Sequence, residues 1–239
     1  MTTQPTPSMR VQTAYRSTLL ILAAMTLISC GSSKFYHNEP ALEFENFDYG
    51  FPTTSAEING VKLSWHDSGG KGTPIVLIHG LASNAGFWRL NVPALSAAGL
   101  RVIAVDLPGY GKSGKAYSAP YTLRWYAETL VKLLDHLRIE KAVLAGHSMG
   151  SQIAITLMLQ KPERVLKLAL LSPAGIEAFK EGEGRWLKDS VTPQFVKATP
   201  QDRVRANLVS NFYSWRDDLE WMVEERMRMS KARDFDRFA

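Results

Sequence analysis

Only five residues, Gly146-His147-Ser148-Met149-Gly150, separate the apolar run Lys141–Ala145 (KAVLA) from the apolar run Ser151–Leu159 (SQIAITLML). The first reads as a strand buried on both faces and the second as an apolar helix. A strand can pass into a helix over so few residues only through a very tight turn, where the two backbones nearly touch. The residues flanking its centre must then be small, and Gly146, Gly150 and Ser151 meet that demand. The pattern G-x-S-x-G is weak by itself; the strand before it and the helix after it give it force. A turn of this kind is strained, and it lifts the hydroxyl of Ser148 above the sheet, where a base can reach it. Ser148 is the candidate nucleophile.

The rest of the chain supplies a frame for such a turn. Pro74–Ile78 (PIVLI), Arg101–Val105 (RVIAV) and Leu166–Leu171 (LKLALL) are further continuous apolar runs. Between them, Leu123, Tyr126, Leu130, Leu133, Leu134 and Leu137 keep the three-and-four spacing of one buried helix face. Residues 85–98 and 149–160 read as two more helices. Strands alternating with helices of this length predict an α/β fold with a mostly parallel sheet. Ahead of them, residues 53–58 and 61–66 alternate on either side of Asn59-Gly60, a two-residue hairpin signal that predicts an antiparallel N-terminal hairpin. From Ile176 onward the pattern is helical without strands and rich in Trp, Phe and Met. Thr199-Pro200, with Asp202 close behind, reads as a helix start. Residues 48–175 are thus expected to form the core and 176–239 a helical cap segment.

The opening residues carry a separate signal. Arg10 and Arg16 precede an apolar run (LLILAAMTLI) that is short of the roughly 20 residues needed to span a bilayer. The run ends in Leu27-Ile28-Ser29-Cys30, followed by Gly31-Ser32-Ser33. This resembles the lipobox of bacterial lipoproteins. The resemblance implies a signal peptide over 1–29, a lipidated Cys30, a tether over 30–47 and a bacterial cell-envelope location on a membrane, at a periplasmic or outer face. Cys30 is the only cysteine, so no intrachain disulfide can form. The formal net charge is +5, and without Arg10 and Arg16 the balance is 26 basic against 23 acidic residues. That is too mild and too dispersed for a nucleic-acid surface.

Taken together, VLIHGLASN, RVIAVDLPGYGKS and LAGHSMGSQIA resemble, in order and spacing, the first three signatures of the α/β-hydrolase superfamily. The similarity covers about Ile58 to Gly175 closely. It implies a carboxylesterase or lipase most often, with a small apolar ester or acyl substrate and no metal or cofactor; some relatives cleave C–C bonds or amides. In that architecture the loop after the PIVLI strand and the residue after the nucleophile supply the oxyanion donors. Here these would be the backbone amides of Leu81 and Met149. A serine at the elbow suits acyl transfer, whereas an aspartate would suit attack on an alkyl carbon.

The resemblance also implies a triad in the chain order Ser, acid, His. All five histidines, at 37, 66, 79, 136 and 147, precede Ser148. His79 is expected to hold its own loop by hydrogen bonds, His136 to lie on the surface, and His147 to point away from its neighbour. Asp106 ends a strand where relatives fix the following loop, and Ser172-Pro173-Ala174-Gly175 offers no acid. The expectation is a chain lacking the family's last strands, with the catalytic acid and His C-terminal to Ala239 and little turnover by itself. The alternative is a non-catalytic lipoprotein binding domain.

Overall fold

The computed structural model describes residues 36–177, 182, 184–185 and 192–238. The chain divides into two compact units, Met1–Asn38 and Glu39–Ala239. Of the first, only the short 3₁₀ turn Tyr36–Asn38 lies among the described residues, and Cys30 lies outside them.

The second unit is built on a six-stranded sheet: β1 (Thr54–Ile58), β2 (Val61–Asp67), β3 (Pro74–Ile78), β4 (Arg101–Asp106), β5 (Ala142–His147) and β6 (Val165–Leu171). Their order across the sheet is β1-β2-β4-β3-β5-β6. β1, β2 and β4 pair antiparallel, while β4, β3, β5 and β6 are parallel. The hairpin register puts Ile58 opposite Val61, so Asn59 and Gly60 form the whole turn. Both have positive φ, 56° and 75°, as a type I′ turn requires, which is why the Asn-Gly pair specifies it.

The parallel strands are apolar on both faces because each face is covered. Val76, Ile78, Ile103 and Val105 pack with Leu130, Leu133 and Leu134 of α2 (Leu123–His136) and with Ile153 and Leu157 of α3 (Met149–Gln160). The alternate residues Ile75, Leu77, Val102 and Ala104 face the opposite layer, with Trp88, Phe47, Tyr49 and Val92 of α1 (Asn91–Ala97). Burying each such aliphatic side chain contributes roughly 1.5–3 kcal/mol, which makes the two-sided sheet the main source of cohesion. β6 is an outer strand, with Leu166 and Leu171 exposed.

Two helix expectations need correction. Residues 85–98 do not form one helix: Ala85–Trp88 is a 3₁₀ turn, and α1 begins only at Asn91. The amides of Ala85 and Gly86 donate to the side chains of Asp106 and Asn84, and Pro93 lacks an N–H, tolerable only in a first turn. Thr199 does not cap the helix α5 (Gln201–Val209); Pro200 is its N-cap, and the Thr199 hydroxyl donates 2.6 Å back to the Phe195 carbonyl. The Thr-Pro signature acts one helix earlier: Thr192 accepts from the Phe195 amide, and Pro193 opens α4 (Pro193–Ala198). Two further helices, α6 (Trp221–Met229) and α7 (Phe235–Phe238), close the described chain.

Candidate active site

β5 ends at His147 and α3 begins at Met149, so Ser148 alone makes the turn. Its backbone sits at φ 52°, ψ −117°, a conformation that a non-glycine residue holds only when its surroundings enforce it. Sterics do the enforcing. A Cβ on Gly146 would collide with the Gly150 carbonyl, and one on Gly150 with the carbonyls of Ile78 and His79 at the end of β3. The Ser151 hydroxyl is buried and donates 2.6 Å to the Gly146 carbonyl, stitching helix to strand. Among the described residues, the hydrogen bonds of Ser148 run through its backbone. Its amide donates to the Leu171 carbonyl at 3.1 Å, and its carbonyl accepts from Ser151 at 2.9 Å. Ser148 is half-buried, at the N-terminal end of α3. Met149 is the first helical residue, a position whose N–H has no partner inside the helix.

The loop that follows β3 comes up against this turn. A Cβ on Gly80 would lie 3.2 Å from Ser148 Cβ and 3.0 Å from His147 Nδ1, so only a residue without one fits there comfortably. Leu81 comes next and is half-exposed. Ala82 follows with φ 52°, a second strained non-glycine position beside the first. The loop after β3 and the start of α3 are thus brought to the same edge of the sheet.

Beneath the loop lies a buried polar frame. His79 is fully buried; its Nε2 accepts 3.1 Å from the Leu107 amide, which leaves Nδ1–H to donate 2.8 Å to the Gly80 carbonyl. Burial pushes its pKa down to about 4, so the ring is neutral and serves as a strut. Asp106 is buried completely and its pKa is pushed up to about 6 by that burial. It accepts from the Ala85 amide at 2.7 Å, the Lys112 amide at 2.9 Å and the Tyr49 hydroxyl at 2.9 Å. One carboxyl therefore ties the loop after β3 to the loop after β4.

Among the described residues, none of the remaining histidines is hydrogen-bonded to the Ser148 hydroxyl. His136 is exposed, edge-on to Trp65 at 5.5 Å. Nδ1 of His66 meets the Pro52 carbonyl at 2.8 Å. His147 stacks on Phe87 at 4.6 Å with its buried Nδ1 lacking a partner, and burial lowers its pKa. That ring lies against Gly80 alongside Ser148, closer to the turn than strand alternation suggests.

Sequence reasoning missed the outer support of the loop. Asn84 Nδ2 donates 2.7 Å to Glu225 Oε1, and Asn84 Oδ1 accepts from the Gly86 amide at 2.9 Å. The Arg226 guanidinium donates 3.2 Å to the Ala82 carbonyl, and Arg89 lies over the Trp221 ring at 3.7 Å. Burial pushes the Glu225 carboxyl up to about 7 and lowers Arg226. A cavity of about 170 Å³ lies here, lined by Phe44, Phe47, Leu81, Ala82, Met229 and Phe235 among others. Ser148 is not part of its lining. The only signal was an Asn of cap type in SNAG and a charged EER in a helix, both common on surfaces. Among the described residues no cluster of His, Cys, Asp and Glu could hold a metal ion.

Comparison with known proteins adds a family context. Residues 73–213 match the family model for the alpha/beta hydrolase fold. The chain is 37% identical over 182 residues to the dihydrolipoyllysine-residue acetyltransferase component of the acetoin cleaving system of Pseudomonas putida, covering 76% of this chain and 47% of that protein. It is 39% identical over 134 residues to 2-hydroxymuconate semialdehyde hydrolase of Pseudomonas sp. strain CF600, covering 52% and 47%. The crystal structure of a probable hydrolytic enzyme from Pseudomonas aeruginosa PAO1 superposes with a TM-score of 0.70 at 26% identity, covering 82% of this chain and 67% of that one. The chain spans about half the length of the curated relatives it matches.

Proposed function

The chain belongs to the alpha/beta hydrolase fold family, and from that premise we propose that it is the nucleophile-bearing part of a serine hydrolase acting on carboxylic esters. The observation that carries the reading is Ser148 itself, a non-glycine residue at φ 52° between β5 and α3, with the Gly80 loop against its Cβ. Ser148 Oγ attacks the ester carbonyl, and the carbonyl oxygen becomes an oxyanion. The amides of Leu81 and Met149 receive it; one such donor is worth about 3 kcal/mol of barrier. The alkoxy group leaves, and water later releases the acid from Ser148.

A His and an acid from residues beyond Ala239 are proposed to move the protons. Support comes from the absence of a base at Ser148 among the described residues and from the half-length match to relatives. The same proposal includes the lipid anchor at Cys30, with the catalytic unit held at a membrane of the bacterial cell envelope.

A fluorophosphonate probe applied to the full gene product tests the reading. Labelling that vanishes in Ser148→Ala is expected; a folded protein that takes up no label would end it. A second reading, hydrolysis of a C–C bond, is favoured by the likeness to a semialdehyde hydrolase. Turnover of dienolic ketoacids in preference to p-nitrophenyl esters would select it. Radiolabelled palmitate incorporation, lost in Cys30→Ser, tests the anchor.

A further inference from the structure

The loop carrying Leu81 is gripped from outside the sheet by two consecutive residues of α6. Glu225 holds the Asn84 side chain at 2.7 Å, and that same amide group, through its oxygen, holds the Gly86 amide at 2.9 Å. Arg226 holds the Ala82 carbonyl at 3.2 Å. Ala82 sits at φ 52°, a strained conformation of the kind that persists only when neighbours over-determine it. From inside, Asp106 reaches the same loop only at the Ala85 amide, three residues further on. The Gly80–Leu81 peptide is held from the sheet side by His79, whose Nδ1–H donates to the Gly80 carbonyl, whereas the Ala82 carbonyl and the Asn84 side chain are held by α6. Charge is nearly balanced at the contact, since Glu225 faces Arg89 and Arg226 as well as Asp106.

We propose that Glu225 and Arg226 are positioning residues for the oxyanion loop: with His79 holding the Gly80–Leu81 peptide from the sheet, they anchor the Ala82–Asn84 side of the loop so that the Leu81 amide stays turned to the reacting carbonyl. This rests on the ester-hydrolase reading above. It also assigns a role to the helical segment. Seating α6 sets the loop, so the segment completes the donor geometry in addition to walling off space. Both act through backbone and side-chain groups of the loop.

Two measurements test it. In the 239-residue chain, Glu225→Ala should speed hydrogen exchange at the Gly86 amide about tenfold while amides of β3 and β5 keep their protection. Glu225→Gln preserves an acceptor for Asn84 and should leave that exchange within about threefold of wild type. In the full gene product, Glu225→Ala and Asn84→Ala should each lower kcat for a p-nitrophenyl ester about tenfold with little change in KM. That is a fraction of the 10²–10³ that loss of a whole donor costs. The double variant should be no slower than the slower single one, because both break the same link. Glu225→Gln should restore most of kcat, as expected where the acceptor for Asn84 is what matters. Unchanged exchange at Gly86, or unchanged kcat in a folded Glu225→Ala protein, overturns the proposal. If Ser148→Ala hydrolyses the ester as fast as wild type, the ester reading fails instead, and the exchange result still decides whether α6 holds the loop.

Discussion

Ser148 and the loop at Gly80–Ala85 touch one another, yet their shapes are set by different parts of the chain. At the elbow the constraining groups are backbone: the carbonyls of Ile78, His79 and Gly150 crowd it, and the Leu171 carbonyl holds its amide. In the loop the pins are side chains: Asp106, 21 residues from the amide it binds, and Glu225, 141 residues from Asn84. Backbone carbonyls are present whatever the sequence, so the elbow asks only that its flanking residues be small. A side-chain pin asks for a particular residue at a particular remote position. The elbow should therefore fail through bulk, and the loop through the loss of one polar group.

The largest effect is expected from bulk. Gly150→Val puts a branched side chain against the Ile78 and His79 carbonyls, where nothing flexible can yield. A loss on the order of 4 kcal/mol or more is expected, seen as a steep drop in the urea midpoint or as insoluble protein. A variant as stable as the wild type would show that the elbow is not held by backbone crowding.

Removing the inner pin comes next. Asp106→Ala leaves the Ala85 and Lys112 amides and the Tyr49 hydroxyl buried without their acceptor. A destabilisation of about 3 kcal/mol is expected by denaturant titration, with Asp106→Asn losing roughly half as much because its amide oxygen still accepts. Burial already holds the acid well above the usual carboxylate range, so the cost lies in the lost acceptor and less in the lost charge. Equal losses in the two variants would contradict that division.

The same contrast explains what could be read from the residues alone. The elbow, the Asn59-Gly60 turn and the two-sided strands were legible because each rests on a local rule: small residues at a tight turn, positive φ at two positions, apolar runs covered on both faces. Residues 85–98 were misread as one helix because the groups that divert Ala85 and Gly86 are side chains, one of them on another strand. Glu225 was invisible for the same reason. Its neighbour Glu224 forms an ordinary i,i+4 ion pair with Arg228 on α6, and nothing in the local pattern separates the carboxyl that holds Asn84 from the one in that pair.

The smallest effect concerns the outer pin and pH. Burial raises the Glu225 carboxyl to about 7 from its ordinary value near 4.5. A carboxyl with a raised folded-state pKa contributes stability that is full below its unfolded pKa and is lost as pH climbs through the folded value. Asp106, raised to about 6, acts in the same direction at lower pH. His79, lowered to about 4, and His147, also lowered, act in the opposite one, since the unfolded chain binds their protons more readily. Below about pH 6.5 these contributions oppose each other, so the wild-type profile alone would not single out Glu225. Comparing wild type with Glu225→Gln does, because the other three groups are common to both proteins. The glutamine variant should gain on wild type by about 2 kcal/mol between pH 5.5 and 8, with most of the change below pH 7 and a levelling off above it. Melting temperatures at matched ionic strength would measure it. A difference that stays constant across that range would mean that Glu225 titrates as a surface carboxylate, and that α6 holds the loop less closely than its hydrogen bonds to Asn84 and Ala82 imply.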